Sequence, residues 1–264
     1  MYAFEYSRAK SAADAAKAAS ADAEAKILAG GMTLIPTLKQ RLAKPTTLID
    51  LNGIPDLVGI KREGDTIVIG AMTRHAAVAR SKDVQAVIPA LAALAGMIGD
   101  PAVRNRGTIG GSIANHDPAA DYPAACLGLG ATITTTKRKI AADDFFTGLF
   151  STALEDGELV TAVSFPKPDK AAYMKFKNPA SRYAIVGVFV AKTGSTVRVA
   201  VTGAGPGVFR SKELETALAK SFLPTAVEGI KIAPDGLNSD IHASAEYRAH
   251  LITVMAKRAV VACG

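Results

Sequence analysis

Cysteine is scarce: Cys126 and Cys263 are the only two in 264 residues, far apart and in no metal-ligand spacing. That excludes an iron–sulfur cluster carried by this chain and leads us to expect a reduced, cytoplasmic compartment. Long apolar runs are missing too. None reaches the ~20 residues of a membrane-spanning helix. The start, Met1-Tyr2-Ala3-Phe4-Glu5-Tyr6, lacks the charged-then-apolar layout of a secretion signal, so a soluble chain is expected. No Walker-type Gly-Lys-Ser/Thr occurs, which leaves nucleotide hydrolysis without support. Repeats and low-complexity runs are absent. The net charge of +7 is scattered; its one dense run, Lys137-Arg138-Lys139, has no aromatic neighbours and reads as a solvated turn between strands, which argues against nucleic-acid binding.

What is present is a globular composition, 49% hydrophobic and 21% charged, long enough for one large domain or two to three small ones. Two glycine pairs organise it. Arg106-Gly107-Thr108-Ile109-Gly110-Gly111-Ser112-Ile113-Ala114-Asn115 is one, and Leu28-Ala29-Gly30-Gly31-Met32-Thr33-Leu34 the other. Each follows an apolar residue and is followed by a small hydroxyl residue. Adjacent glycines admit backbone conformations closed to other residues and let a ligand approach without a Cβ in the way. Their amides can converge on an anion near a helix start. Two such stretches suggest a long ligand with its diphosphate held from both sides.

Taken in order, residues 11–26 read as an alanine-rich helix with Ser11 as N-cap. Residues 26–29 form a strand, 34–42 a helix with Leu34, Leu38 and Leu42 on one face, and 47–51 a second strand parallel to the first. Residues 57–60 and 66–69 suggest a hairpin, and 73–80 and 86–98 helices. A helix over 118–127, capped by Asp117 with Pro118 in its first turn, follows the second glycine stretch. Strands over 131–136 and 159–166 come next. Beyond Pro166-Lys167-Pro168, residues 173–177, 184–192 and 196–202 read as three antiparallel strands, and 211–220 and 244–263 as helices. The fold class is therefore α+β: two α/β subdomains over 1–56 and 57–166, then a three-stranded antiparallel sheet with helices over 167–264.

Other signals yield to simpler readings. Gly203-Ala204-Gly205-Pro206-Gly207 has a proline inside it and a misplaced third glycine, so it reads as a turn. His242, Glu246 and His250 share a helix face, but eight helical residues span ~12 Å and zinc needs its nitrogens at ~2 Å. One ion cannot take both histidines. Asp117 and Asp121 fit a catalytic pair, a cap with a solvated acid, or an Asp121 that accepts a hydrogen bond from a sugar-like hydroxyl. Arg104 and Arg106 suit phosphate, solvent or a partner chain alike. His75, His116 and Tyr183 have no partner at a spacing that implies nucleophilic or acid–base chemistry, so any chemistry belongs to the bound molecule.

Ala29-Gly30-Gly31-Met32-Thr33 and Thr108-Ile109-Gly110-Gly111-Ser112 resemble the two flavin signatures of the FAD ("medium") subunits of molybdenum hydroxylases, the group that includes carbon monoxide dehydrogenase and xanthine dehydrogenase-type enzymes. The runs Ile98-Gly99-Asp100, Val103-Arg104-Asn105-Arg106 and Asp117-Pro118-Ala119-Ala120-Asp121-Tyr122-Pro123, and the ending around Tyr247-Arg248 and Arg258-Ala259, extend the resemblance over essentially the whole chain. It implies FAD extended between two subdomains. The implied contacts are Ala29, Gly30, Gly31, Met32, Thr33 and Leu34; Thr108, Ile109, Gly110, Gly111 and Ser112; and Asn115 and Asp121. Leu94, Leu159 or Val160, and Lys177 match as well, with Lys177 a positive charge for reduced flavin and Tyr183 a cover for the isoalloxazine. Met32 departs from the family, where many members carry a polar residue; its amide can still bind phosphate. No catalytic or metal-ligating residue of its own is implied.

The resemblance further implies an electron-transfer subunit with non-covalent FAD. A large subunit would hold the molybdenum–pterin centre and a small one the 2Fe–2S clusters, assembled as a dimer of heterotrimers. Quinone, oxygen or NAD would be the final acceptor, and peripheral membrane or quinone contact is compatible with that role. The competing readings are a self-sufficient FAD oxidase and a flavin-free structural subunit.

Overall fold

The computed structural model describes residues 1–264. It contains a small parallel sheet, a larger antiparallel sheet and a C-terminal antiparallel sheet. In the first, Thr47–Asp50 lies between Glu5–Arg8 and Lys26–Leu28, parallel to both. The parallel pair separated by helix Leu34–Lys39 is as expected. The strand Glu5–Arg8 is an addition: its residues are all exposed, so it has no apolar alternation by which to be recognised.

The second sheet has five strands in the order Ile60–Glu63, Thr66–Gly70, Val160–Pro166, Thr132–Thr135, Lys139–Ala141. Every pairing is antiparallel. Most of this unit's helices are inserted between Thr66–Gly70 and Thr132–Thr135, so helices and strands mix as expected, on a sheet that is antiparallel throughout. The single helix expected over 86–98 is also divided, into Lys82–Val87 and Pro89–Gly96. Pro89 lacks an N–H and forces Ile88 out of helical backbone, to φ −138 and ψ 70.

The C-terminal sheet orders Lys170–Lys177, Ala184–Thr193, Thr196–Thr202 and a fourth short strand, Phe209–Arg210, where three were expected. Ala184–Thr193 is covered on both faces, hence its unbroken apolar run. Val186, Val188 and Val190 join the core under the long helix Ala245–Ala262. Phe189 and Ala191 join the other core, which contains helix Tyr122–Leu129. That helix is buried at all eight positions and ends at Gly130 in the left-handed region. It begins at Tyr122, not at Pro118 as expected. Asp117 instead closes a turn, its Oδ1 accepting the Ala119 N–H at 2.8 Å.

One close approach in this core is at Gly128, where an added Cβ would meet Phe189 Cδ1 at 2.6 Å. Alanine ordinarily stabilises a helix interior by about 1 kcal/mol relative to glycine. Here Gly128→Ala is expected to destabilise by about 1–3 kcal/mol, the usual range for overpacking, because Phe189 is fully buried and has no room to yield. Thermal unfolding checks the sign.

Candidate functional site

A cavity of ≈ 580 Å³ opens where the three pieces meet, within the size range of cofactor sites. The first glycine stretch forms one wall. It leaves strand Lys26–Leu28, turns through Gly31 at φ +74 and enters helix Leu34–Lys39. The N–H groups of Gly30, Gly31, Met32 and Thr33 meet no acceptor within the protein. They form an uninterrupted run of free donors, suited to an anion.

The second stretch is built differently. Thr108 caps the helix Ile109–Asn115, its Oγ1 accepting the Gly111 N–H at 3.1 Å. Ile109 N–H donates to Thr73 O at 3.2 Å, Gly110 N–H to Ala71 O at 2.8 Å and Ser112 N–H to Thr108 O at 3.0 Å. All four amides are engaged, which corrects the expectation of two symmetrical cradles. Gly110 serves packing: a Cβ there would lie 2.6 Å from Ala71 Cβ. Gly111 keeps space between the loops, its absent Cβ lying 3.5 Å from Ala29 Cβ. Ser112 and Asn115 face the cavity.

The two stretches touch. A Cβ on Gly30 would stand 2.2 Å from Arg106 O and 2.8 Å from Gly107 Cα. A polar chain holds this contact in place: Tyr6 donates to Asp50, and Asn52 donates to Asp50 Oδ1 at 2.6 Å and to Ala29 O at 2.9 Å. Arg74 then donates to both Asn52 Oδ1 and Arg106 O.

At the opposite end Asp121 is buried, accepting from the Tyr173 hydroxyl and, at 2.9 Å, from Lys175 Nζ. Burial pushes its carboxyl up, against the pull of Lys175 and Tyr173. Tyr183 stands half exposed at the rim, its hydroxyl pushed up by burial and by Asp117 and Asp121. Phe150, at φ 51, also borders the cavity, and His116 Nδ1 bonds the adjoining Ser151 O at 2.8 Å. His116 Nε2 accepts the Val208 N–H, so this histidine links three segments. His75 is buried with Nδ1 unpartnered, and burial together with Arg74 and Arg104 brings it down to about 4, so it is neutral. His242 lies ahead of helix Ala245–Ala262 and pairs with Asn178.

Of the residues expected at the site, Ala29 through Leu34, Thr108, Gly110, Gly111, Ser112, Asn115, Asp121, Leu159, Val160 and Tyr183 line this cavity. Leu94 and Ile109 do not; both are fully buried in the core behind it. Lys177 is exposed and lies outside the lining as well. A register shift between Phe176 and Lys177 interrupts the strand's alternation, and the cavity lysine is Lys175. Period-two spacing from Tyr173 puts Lys175 and Lys177 on one face alike and does not by itself choose between them.

A family model described as "FAD binding domain in molybdopterin dehydrogenase" matches residues 2–168, and one described as "CO dehydrogenase flavoprotein C-terminal domain" matches residues 171–262. The carbon monoxide dehydrogenase medium chain of Afipia carboxidovorans is 40% identical, covering 97% of this chain and 95% of the relative. The nicotine 6-hydroxylase medium subunit of Paenarthrobacter nicotinovorans is 36% identical, covering 99% and 98% respectively. A solved carbon monoxide dehydrogenase from Hydrogenophaga pseudoflava, which lacks the Mo-pyranopterin moiety of its cofactor, superposes with a TM-score of 0.89 at 36% identity, covering 99% of this chain and 97% of that one.

Glu158, on the cavity wall before Leu159 and Val160, generates a pH prediction. Burial raises its carboxyl, but hydrogen bonds from Arg138, Thr135 and the Glu155 amide outweigh that and bring it to about 2, from an ordinary 4.5. The folded state therefore binds this proton less tightly than the unfolded state does. Its stabilisation is complete above 4.5 and is lost as pH falls towards about 2. Arg138→Met is expected to destabilise most at neutral pH, where Glu158 is ionised, and to raise the midpoint pH of acid unfolding, followed by circular dichroism, the loss fading as pH falls towards about 2.

Proposed function

The chain belongs to the family of FAD-binding subunits of molybdopterin dehydrogenases, and on that premise we propose that it is the FAD-carrying electron-transfer subunit of a heteromeric molybdenum hydroxylase of the carbon monoxide dehydrogenase type. The observation that carries this reading is the cavity between the glycine stretches, with four unpartnered amides on one side and a contact at Gly30 that any Cβ would break. When bound, FAD would supply the redox chemistry that links iron–sulfur clusters to quinone, oxygen or NAD.

The protein's own residues bind and orient. The amides of Gly30, Gly31, Met32 and Thr33 take the diphosphate, and because they are backbone groups Met32 serves as well as a polar residue. Ser112 and Asn115 offer side-chain hydrogen bonds from the facing helix. Asp121 accepts from hydroxyls at the far end, and Tyr183 covers the rim. Binding is non-covalent, through hydrogen bonds and shape. The molybdenum–pterin centre and the 2Fe–2S clusters belong to a large and a small partner subunit, in a cytoplasmic dimer of heterotrimers. No helix of the chain is long and apolar enough to cross a membrane.

The purified chain is expected to show flavin absorption bands that pass into the supernatant on acid precipitation. Bands held in the pellet would mean a covalent flavin, and a chain that stays colourless with added FAD would leave only a structural role. Gly30→Ala is expected to weaken FAD binding by about 10-fold or more, equivalent to losing one strong hydrogen bond. Gly111→Ala should cost less, since its Cβ meets only the Thr108 hydroxyl at 3.0 Å and Ala29 at 3.5 Å.

A further inference from the structure

The polar end of the cavity holds an arrangement that the glycine stretches do not explain. Asp121 is 5% exposed and is engaged at both oxygens from a single strand, Lys170–Lys177. The Tyr173 hydroxyl donates to Oδ1, and Lys175 Nζ donates to Oδ2 at 2.9 Å. The Lys175 side chain is 2% exposed, and its ammonium also donates to Met97 O at 3.2 Å. The Tyr173 hydroxyl is confined on its other side, where a Cβ on Gly187 would come within 2.2 Å of it. A carboxylate held this way is fixed in place, and each oxygen retains a lone pair for a further donor. Without the ammonium, burial favours the protonated acid, which donates a hydrogen bond where the carboxylate accepts one.

We propose that Lys175 is a positioning residue for FAD: it fixes Asp121 in place and draws it towards its ionised form, an acceptor for hydroxyl groups of the bound dinucleotide, while Tyr173 aligns the other carboxylate oxygen. This rests on the FAD-subunit reading above and moves the functional lysine from Lys177 to Lys175. The groups around Asp121 are accounted for on every side. Tyr173 and Lys175 face it from the strand, and Tyr183 and Asp117 from neighbouring loops. Tyr122 and Cys126, on the helix that follows Asp121, are pushed well up by burial and carry no charge. His75, packed on Tyr122 at 5.3 Å between ring centres, is neutral. Lys175 is the cation in direct contact with the carboxylate.

The test is titration of the full-length apoprotein with FAD, read by flavin fluorescence from mildly acidic to mildly alkaline pH. Lys175→Met is expected to bind about 10- to 100-fold more weakly at neutral pH, the loss of a charge-assisted hydrogen bond, with affinity recovering as pH rises and Asp121 ionises. Lys175→Arg should restore binding and the wild-type pH profile. Adding Asp121→Asn to Lys175→Met should abolish the pH slope and weaken binding no further. Tyr173→Phe, which preserves volume, should lose about 5-fold with a shallower slope of the same sign, and it carries the test should Lys175→Met fail to fold. Wild-type affinity in Lys175→Met, or in Tyr173→Phe where that carries the test, overturns the proposal. A loss by the same factor at every pH overturns it too, since that marks structural damage. A wild-type chain that takes up no FAD overturns the FAD reading and this proposal together, whereas a flavin-binding wild type with unaffected variants overturns this proposal alone.

Discussion

The site depends on one close contact, that between Gly30 and the Arg106–Gly107 backbone. Two segments more than seventy residues apart in sequence meet at a distance that leaves no space for a methyl group. Arg74 holds the contact from one side, because its guanidinium spans Asn52 and the Arg106 carbonyl. Asn52 in turn is fixed to Asp50, at the end of the central strand of the parallel sheet. The planar fork of arginine suits this role, since it reaches two acceptors at once where a lysine would present a point charge. The cavity is thus shaped by the polar network beside it as much as by the glycines on its wall.

The glycines, alike in sequence, divide the work. Those of the first stretch leave amides free and close approach possible, with Gly31 also needing positive φ. Those of the second spend their amides on a helix cap and on the neighbouring segment around Ala71, and are small so that the helix can sit against that segment. A helix whose first-turn amides are all partnered has little left to offer an anion beyond its dipole. Similar motifs on opposite walls therefore act by different physics, one by donation and the other by packing.

Much of this was legible beforehand. Apolar periodicity marked the parallel pair, the C-terminal antiparallel strands, the two last helices and the hairpin, whose first strand is Ile60–Glu63 and not the 57–60 expected, and the glycine pairs pointed to the cavity. Most of the misses share a cause, contacts distant in sequence, the break at Pro89 being a local exception. Asp117 and Pro118 carry the chemistry of a helix start, yet the Thr202 hydroxyl donates to Pro118 O and Ala120 O, and the Gly203 amide to Pro118 O, fixing that segment as a turn. Lys177 and Lys175 are indistinguishable as lysines on a strand until the register shift after Phe176 separates them. Glu5–Arg8 has no apolar face and becomes a strand only because Thr47–Asp50 offers an edge.

These same distant contacts bear on how far the two matched regions are separate units. Asp121 lies in the FAD-binding region, but both groups that hold it, Tyr173 and Lys175, come from the C-terminal sheet. Helix Tyr122–Leu129, apolar on every side, packs on Phe189 of that sheet, and Arg198 Nε donates to Leu127 O at 2.6 Å. Cut at residue 168, the first region would expose one face of this helix and leave Asp121 without its cation. Each loss is costly by itself: apolar burial at about 25 cal/mol per Å², and an unpaired buried charge at several kcal/mol. The two regions are therefore better regarded as one cooperative structure, in which the C-terminal sheet completes both the core and the polar end of the cavity.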